Sequence, residues 1–349
     1  MKKFESAAIT EETHIGVAKR GIRRCANEAG FTERQLAEIE IVVNEIGSNA
    51  VKFGQGTGQI FFGRTDPDLE PAGLEIIYAD KGPGIQDISM AVEDGFTTAG
   101  TMGAGLGAIK RMADEFYIFS NIKSQTRRLS PLGRTTHGTA MVFRKYVAAA
   151  QGSEHRKALW GAMTRPAAGF EENGDAYVVK RVGERQLLAM IDGLGHGMGA
   201  LQAAREAVGT IEKYASRPVE SIIRSTHEAL RPTRGAVLGL AAIDCQTGMI
   251  EYAGIGNTDL RVIGGRSPIR FISLNGTLGS RLDRVKVFRE QLPKVATVIM
   301  STDGISERWD LDSYPGLLGS HPQLLCAVVM RDYSRSNDDA TILCGRLSF

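Results

Sequence analysis

The feature that most limits how this chain can fold is a break in its hydrophobic patterning at Val147-Ala-Ala-Ala-Gln-Gly-Ser-Glu154, a small-residue stretch that reads as a linker. On each side the pattern is self-sufficient, and 349 residues exceed what one core usually organises, so two domains are expected. Before the break, apolar positions recur at helical spacing over 13–29 and 33–53. Thr32 is an N-cap candidate for the second helix, and Gln35 takes the capping-box position. Strand-like runs follow at 58–64 and 74–79, then a short helix near 106–114 and strands near 115–121 and 138–144. After the break, strand-like runs at 158–164, 175–181 and 186–191 precede helical stretches at 197–214 and 218–230. Further strands run to about 300, with a helix near 321–331 and a last strand at 340–346. The boundaries expected are 1–146, a linker over 147–156, and 157–349.

Charge narrows the function classes. Lys plus Arg number 42 against 40 Asp plus Glu. That balance argues against nucleic acid or an anionic membrane as the main partner, since both demand a basic face. No apolar run reaches the roughly 18 residues that span a bilayer, and Met1 to Thr10 has no apolar stretch for export, so a cytoplasmic protein is expected. Cys25, Cys245, Cys326 and Cys344 are far apart with no Cys-x-x-Cys pair and read as reduced thiols.

Chemistry-bearing residues fall into two groups. In the first half, Glu45 and Asn49 lie four apart on one helix face, where a carboxamide suits Mg²⁺ and a carboxylate can serve as a general base. Alone, such a pair is common on solvated helices. Downstream, Asp80-Lys-Gly-Pro-Gly84 puts a carboxylate at a strand end beside two glycines that permit close backbone approach. Then Met102-Gly-Ala-Gly-Leu-Gly107 opens a helix whose free N–H groups can receive phosphates, and Gly138-Thr139 starts the last strand. In that order the four motifs are specific.

On these residues, and on Glu93-Asp-Gly-Phe-Thr-Thr-Ala-Gly100 and the run Gly103 to Phe116, the segment 8–146 resembles the GHKL ATPase superfamily. Within it, the anti-sigma-factor serine kinases and stressosome switch kinases are most similar. The resemblance implies a Bergerat-type two-layer α/β sandwich binding ATP and Mg²⁺. Asp80 would accept the adenine amino group, Gly82 and Gly84 would shape the pocket floor, and Thr139 would support the adenine. Gly103, Gly105 and Gly107 would lie near the phosphates, with Asn49 on Mg²⁺ and Glu45 as base. A histidine kinase would need a phosphoaccepting histidine on a helical hairpin before this domain, and His14 reads only as a helix-surface residue. The expected acceptor is therefore a Ser or Thr of another protein.

The second half repeats acidic motifs at strand ends: Gly174-Asp175, Asp192-Gly-Leu-Gly-His-Gly197, Thr302-Asp303-Gly304 and Asn337-Asp338-Asp-Ala-Thr341. Each Asp-Gly is by itself a turn signal. Carboxylates gathered from separate strands can instead hold two divalent ions about 3.5–4 Å apart and activate water against a phosphate ester. With Ile250 to Asn257 and Val298 to Glu307, these motifs make 157–349 resemble the metal-dependent type 2C serine/threonine phosphatases of the sporulation stage II E and stressosome-resetting branch. That implies a four-layer αββα sandwich with two Mn²⁺ or Mg²⁺. Asp192 would bridge the ions, Asp175 and the Gly193 carbonyl would complete one site, and Asp303 and Asp338 the other. Asp339 would stand beside the ligands, and Asn257 occupies a position where many relatives carry histidine. His137, His155, His227 and His321 read as surface or cap residues.

The expectation is thus an α+β fusion of a serine kinase with a serine phosphatase, acting on STAS-domain proteins of a partner-switching pathway. Its rivals are a phosphatase gated by a non-catalytic, nucleotide-sensing domain, and a sequestering anti-sigma factor.

Overall fold

The computed structural model describes residues 4–67, 69–93, 105–122, 136–148 and 158–349. The chain divides into two compact units. One contains the described part of Lys2–Glu154 together with Arg308–Asp332; the other contains the described part of His155–Glu307 together with Tyr333–Phe349.

In the first unit the order is β1 (Glu5–Ile9), α1 (Glu12–Ala29), α2 (Glu33–Phe53), β2 (Gly58–Arg64), β3 (Gly73–Ala79), α3 (Ile88–Ala91), α4 (Gly105–Met112), β4 (Glu115–Asn121) and β5 (Gly138–Tyr146). Helix α1 stops at Gly30, whose φ of 93° suits a residue without Cβ. Two residues on, Thr32 opens α2 with the full capping box: its hydroxyl accepts from Gln35 N at 3.4 Å, and Gln35 Oε1 accepts from Thr32 N at 3.0 Å. The sheet is antiparallel in the order β1-β2-β3-β5-β4. Strand alternation turns Ile60, Phe62, Ile76 and Phe143 toward Ile22, Leu36, Ile39 and Ile46 of the helices, giving the expected two layers. β1 has no counterpart in the sequence reading, because Glu5-Ser-Ala-Ala-Ile9 is a half-exposed edge strand without β-branched or aromatic alternation.

The opposite sheet face is buried as well, through Phe61, Ile77, Phe119 and Val142. On that face Arg144, 2% exposed, is held by Glu75 at 2.6 Å, Glu70 at 3.0 Å and Glu115 at 2.9 Å. Burial alone would lower its pKa; the three carboxylates outweigh that and raise it. Nearby, Tyr117 stacks on His321 at 4.2 Å, and Asn121 Nδ2 donates to Ser313 O at 3.1 Å, so Arg308–Asp332 packs beside the β4 edge.

The second unit runs β6 (Ala158–Arg165), β7 (Asp175–Val182), β8 (Arg185–Gly193), α5 (Met198–Lys213), α6 (Val219–Leu230), β9 (Ala236–Asp244), β10 (Met249–Ile255), β11 (Asp259–Ile263), β12 (Ile269–Phe271), β13 (Ser273–Leu274), β14 (Phe288–Gln291) and β15 (Val295–Ser301). Helix α7 (Pro322–Tyr333), which through Asp332 belongs to the first unit, precedes the closing strand β16 (Ala340–Ser348). One sheet is ordered β13-β10-β9-β8-β7, with β14 paired to β10; the other is β12-β11-β15-β16-β6. Helices α5 and α6 cover the first through Ala203, Ala207, Ile211, Ile222 and Ile223. Small residues on α5 let it sit close to the strands. The molecule is α+β, as the patterning implies. Among the described residues no helix is long and apolar enough to cross a membrane, and Cys25, Cys245, Cys326 and Cys344 are free thiols.

Because the Thr32 hydroxyl satisfies an otherwise orphaned α2 N–H, Thr32→Ala should cost the first unit about 1 kcal/mol. In a Trp160→Phe background, Trp309 fluorescence should register this as an earlier urea midpoint.

Candidate functional site

In the first unit Asp80, Gly82, Gly84 and Thr139 come together at the end of β3. Asp80 is 5% exposed, and its carboxylate is held from three directions. Oδ1 accepts from Gly82 N at 2.8 Å and from Thr139 N at 3.1 Å, while Oδ2 accepts from the Tyr78 hydroxyl at 2.7 Å. A carboxylate has about four acceptor sites, so one remains for an incoming N–H. Burial, then the adjacent Asp80, raise the Tyr78 pKa, which keeps that hydroxyl a donor.

Glycines let the backbone close on this point. A Cβ on Gly82 would stand 2.3 Å from Phe53 O; on Gly84, at φ 83°, 2.5 Å from Asn121 O; and on Gly138, 2.0 Å from Asp80 O. Thr139 acts chiefly through its backbone N–H, its hydroxyl meeting Ser120 Oγ at 3.0 Å. Glu45 and Asn49 sit one turn apart on α2, both partly exposed, and Gly105 and Gly107 lie in the first turn of α4. Gly103, with the run 94–104, lies outside the described residues.

The sequence reading missed two contributors here. Tyr78 looked like an ordinary strand aromatic. His137, assigned to the surface or a cap, is 8% exposed with Nδ1 2.7 Å from Gly82 O. His227 is likewise buried, its Nδ1 accepting from Gly279 N at 3.1 Å, whereas the cap reading of His321 holds: its Nδ1 accepts from Gln323 N at 3.1 Å. His155 lies outside the described residues.

In the second unit the acidic motifs converge. Asp175 and Asp192 face each other as register partners of β7 and β8. The other two come from the ends of the neighbouring sheet, where a Cβ on Gly304 would lie 1.8 Å from Asp339 O. Only glycine there lets the Asp303 turn reach the Asp338 turn. Gly174 serves similarly: its Cβ would meet Asp339 Oδ2 at 2.9 Å and Gly193 O at 3.5 Å. Asp339 accepts from Ala167 N and Gly174 N at 2.8 Å each, which braces the turn.

Two further residues orient the cluster. Thr302 Oγ1 donates to Asp175 Oδ2 at 2.7 Å, and Asn257 Nδ2 donates to Asp303 Oδ2 at 2.6 Å. Both stand inside the motifs, but their roles come from pairings across more than 40 residues of chain. His196 is exposed, its ring 4.3 Å from that of Phe170.

Electrostatics identify what this cluster lacks. Burial, then the Asp303, Asp338 and Asp339 carboxylates, push Asp192 up to about 7. Burial and then Asp192 raise Asp175, and burial followed by Asp338 raises Asp303. Among the described residues no three His, Cys, Asp or Glu side chains stand close enough together to hold a metal ion as they are placed. Carboxylates crowded in this way are relieved by a proton or by a cation. Oxygen-only donors with uncompensated negative charge suit a hard divalent cation, so the residues fit Mg²⁺ or Mn²⁺.

A sheet-and-helix sandwich with a buried carboxylate acceptor, joined to a two-sheet unit with converging aspartates, defines a histidine kinase-like ATPase fold fused to a type 2C phosphatase fold. The histidine kinase-like ATPase domain family matches residues 9–128, and the stage II sporulation protein E (SpoIIE) family matches residues 183–348. Serine/threonine-protein kinase RsbT of Bacillus subtilis (strain 168) is 40% identical over 112 residues, 32% of this chain and 83% of RsbT. Phosphoserine phosphatase RsbX of the same organism is 28% identical over 177 residues, 50% of this chain and 87% of RsbX. A solved structure described as "The bacterial stressosome: a modular system that has been adapted to control secondary messenger signaling" matches with a TM-score of 0.52 and 28% identity, covering 55% of this chain and 100% of that one. The chain belongs to the RsbT-like histidine kinase-like ATPase family and carries a SpoIIE-type phosphatase domain.

A carboxylate with a raised folded-state pKa favours the fold below its unfolded value and opposes it as pH rises toward the folded one. In metal-free protein, Asp192→Asn should therefore stabilise the second unit against urea at about pH 8, and the gain should shrink as pH falls below about 7 and vanish below about pH 4. Trp160 fluorescence in a Trp309→Phe background reads this.

Proposed function

We propose that the chain is a bifunctional protein serine/threonine kinase and metal-dependent phosphoserine/phosphothreonine phosphatase, acting in the cytoplasm on STAS-domain proteins of a bacterial partner-switching pathway. The observation that supports it most is that one chain holds both a buried carboxylate at Asp80 with one acceptor site open and an aspartate cluster in which burial and like charges push Asp192 up to about 7. The likeness to RsbT and RsbX, a kinase and a phosphatase, supports the same pairing of opposed activities.

In the kinase reading, ATP with Mg²⁺ supplies the phosphoryl group. Asp80 takes the adenine amino group on its free acceptor site, held in place by Gly82 N, Thr139 N and Tyr78. Gly82 and Gly84 would keep the floor open, Gly105 and Gly107 would lie near the phosphates, and Asn49 would offer its carboxamide oxygen to Mg²⁺; the corresponding expectation for Gly103 falls outside the described residues. Glu45, one turn earlier, accepts the proton of the incoming Ser or Thr hydroxyl. A domain that only sensed nucleotide would need no base at this place.

In the phosphatase reading, two Mn²⁺ or Mg²⁺ ions would supply activated water and charge neutralisation at the ester. Asp192 would bridge them, Asp175 and the Gly193 carbonyl would hold one, and Asp303 and Asp338 the other. Thr302 and Asn257 aim Asp175 and Asp303 at the site. Asp339 stays engaged with backbone N–H groups and shapes the turn rather than the reaction.

Labelled ATP incubated with the chain and the host's purified STAS proteins tests this directly. Asp192→Asn protein should accumulate phosphorylated substrate, and Glu45→Ala should keep nucleotide binding while losing transfer by at least about a hundredfold. Binding without transfer to any STAS protein would instead favour the nucleotide-sensing module, and full phosphatase turnover by Asp192→Asn would remove the two-metal assignment.

A further inference from the structure

The unit that contains the Asp80 pocket also contains Arg308–Asp332, a stretch the chain inserts between Asp303 and Asp338. One side chain of this insertion reaches the backbone of Asp80. Arg331, 6% exposed, donates from Nη1 to the backbone carbonyl of Asp80 at 2.8 Å. Its other two nitrogens grip its neighbour: Nε donates to Asp332 Oδ1 at 2.9 Å and Nη2 to Oδ2 at 2.6 Å. Asp332 is in turn fixed by the Tyr314 hydroxyl at 2.7 Å and faces Lys81 Nζ at 3.8 Å. Gly138 makes room for this contact, since a Cβ there would stand 2.7 Å from Arg331 Nη1. Burial acts to lower the Arg331 pKa, but Asp332, then Tyr314 and Asp80, overcome it and raise it, so the guanidinium stays charged.

Asp80 is therefore held at two ends. Its carboxylate is fixed by groups of β3 and β5 and the following turn, while its carbonyl is fixed by a planar, fully committed guanidinium from the insertion. A charge-assisted bond to that carbonyl sets the backbone plane from which the carboxylate projects. Tyr117 on His321 and Asn121 on Ser313 O anchor the same insertion along β4, so it is seated at three points.

We propose that Arg331 is a positioning residue of the nucleotide pocket and that Arg308–Asp332 is the element that registers whether the pocket is filled. The inference rests on the nucleotide-binding reading of Asp80. Occupancy that favours the seated Asp80 geometry also favours the seated insertion, and by linkage the reverse holds. The insertion is covalently continuous with both the Asp303 and the Asp338 motifs, so the registering element lies between two proposed metal ligands in the chain.

Amide hydrogen exchange on the full chain, with and without Mg²⁺ and a non-hydrolysable ATP analogue, tests this. Exchange over 322–332 should slow at least about threefold on nucleotide binding, together with 76–80. Arg331→Ala should weaken ATP binding about tenfold, the scale of one lost charge-assisted bond, while the affinity for GTP, which offers a carbonyl where adenine has its amine, stays at the parental value. A general loss of structure would lower both. Arg331→Lys, which keeps one charged donor, should fall between and carries the test if Arg331→Ala does not fold. Slowing at 76–80 without slowing at 322–332, or equal loss of ATP and GTP binding in both variants, overturns the inference and leaves nucleotide binding intact. Failure of the parent chain to bind the analogue overturns the nucleotide reading, and the inference with it.

Discussion

Repulsion among aspartates brought together by strand pairing is the constraint on which the second half of this molecule depends. Asp175 and Asp192 oppose each other across the β7–β8 ladder, and the close turns at Gly174 and Gly304 bring Asp303 and Asp338 toward them. Burying like charges costs stability unless a proton or a cation intervenes. The protein provides few cations of its own here. Asp339 is relieved by two backbone N–H groups, and Asp175 by a threonine hydroxyl, but Asp192 is left raised to about 7. A fold that arranges small residues and hydroxyls to create such a deficit has traded stability for a site that must take up positive charge.

The first unit handles a buried carboxylate in the opposite way. Asp80 meets two backbone N–H groups and a phenol, all donors from the protein itself, so it is rigid and nearly saturated, with one acceptor position open. A group so placed has room for one small donor, of which the exocyclic amine of the proposed nucleotide is an example, and would gain little from a metal. The difference between Asp80 and Asp192 is therefore one of local donor supply. It separates a candidate recognition site from a candidate catalytic one without appeal to the sequence motifs.

Much of this was legible before any coordinates. Strong 3.6-residue periodicity and the Thr32–Gln35 box set α2 to within a residue, and Asp80, Asp192 and Asp303 were visible because glycine follows each closely at a strand end. β1 was not legible, since an edge strand facing solvent carries too little pattern. Tyr78, Thr302 and Asn257 escaped assignment because each works by touching a residue whose position only the folded sheet decides. His137 misled because a histidine at the start of a strand gives no local sign of burial. Arg331 lies 251 residues from Asp80, beyond the reach of any local pattern.

The central claim is that the aspartate cluster is an unfinished charge arrangement completed by divalent ions. Electron paramagnetic resonance of the full chain titrated with Mn²⁺ measures this without reference to any substrate. The account predicts two ions per chain with the exchange-coupled signal of a closely spaced pair, reduced to at most one uncoupled ion in Asp192→Asn. Absence of bound Mn²⁺ in the parent chain, or a coupled pair that persists in Asp192→Asn, would contradict it.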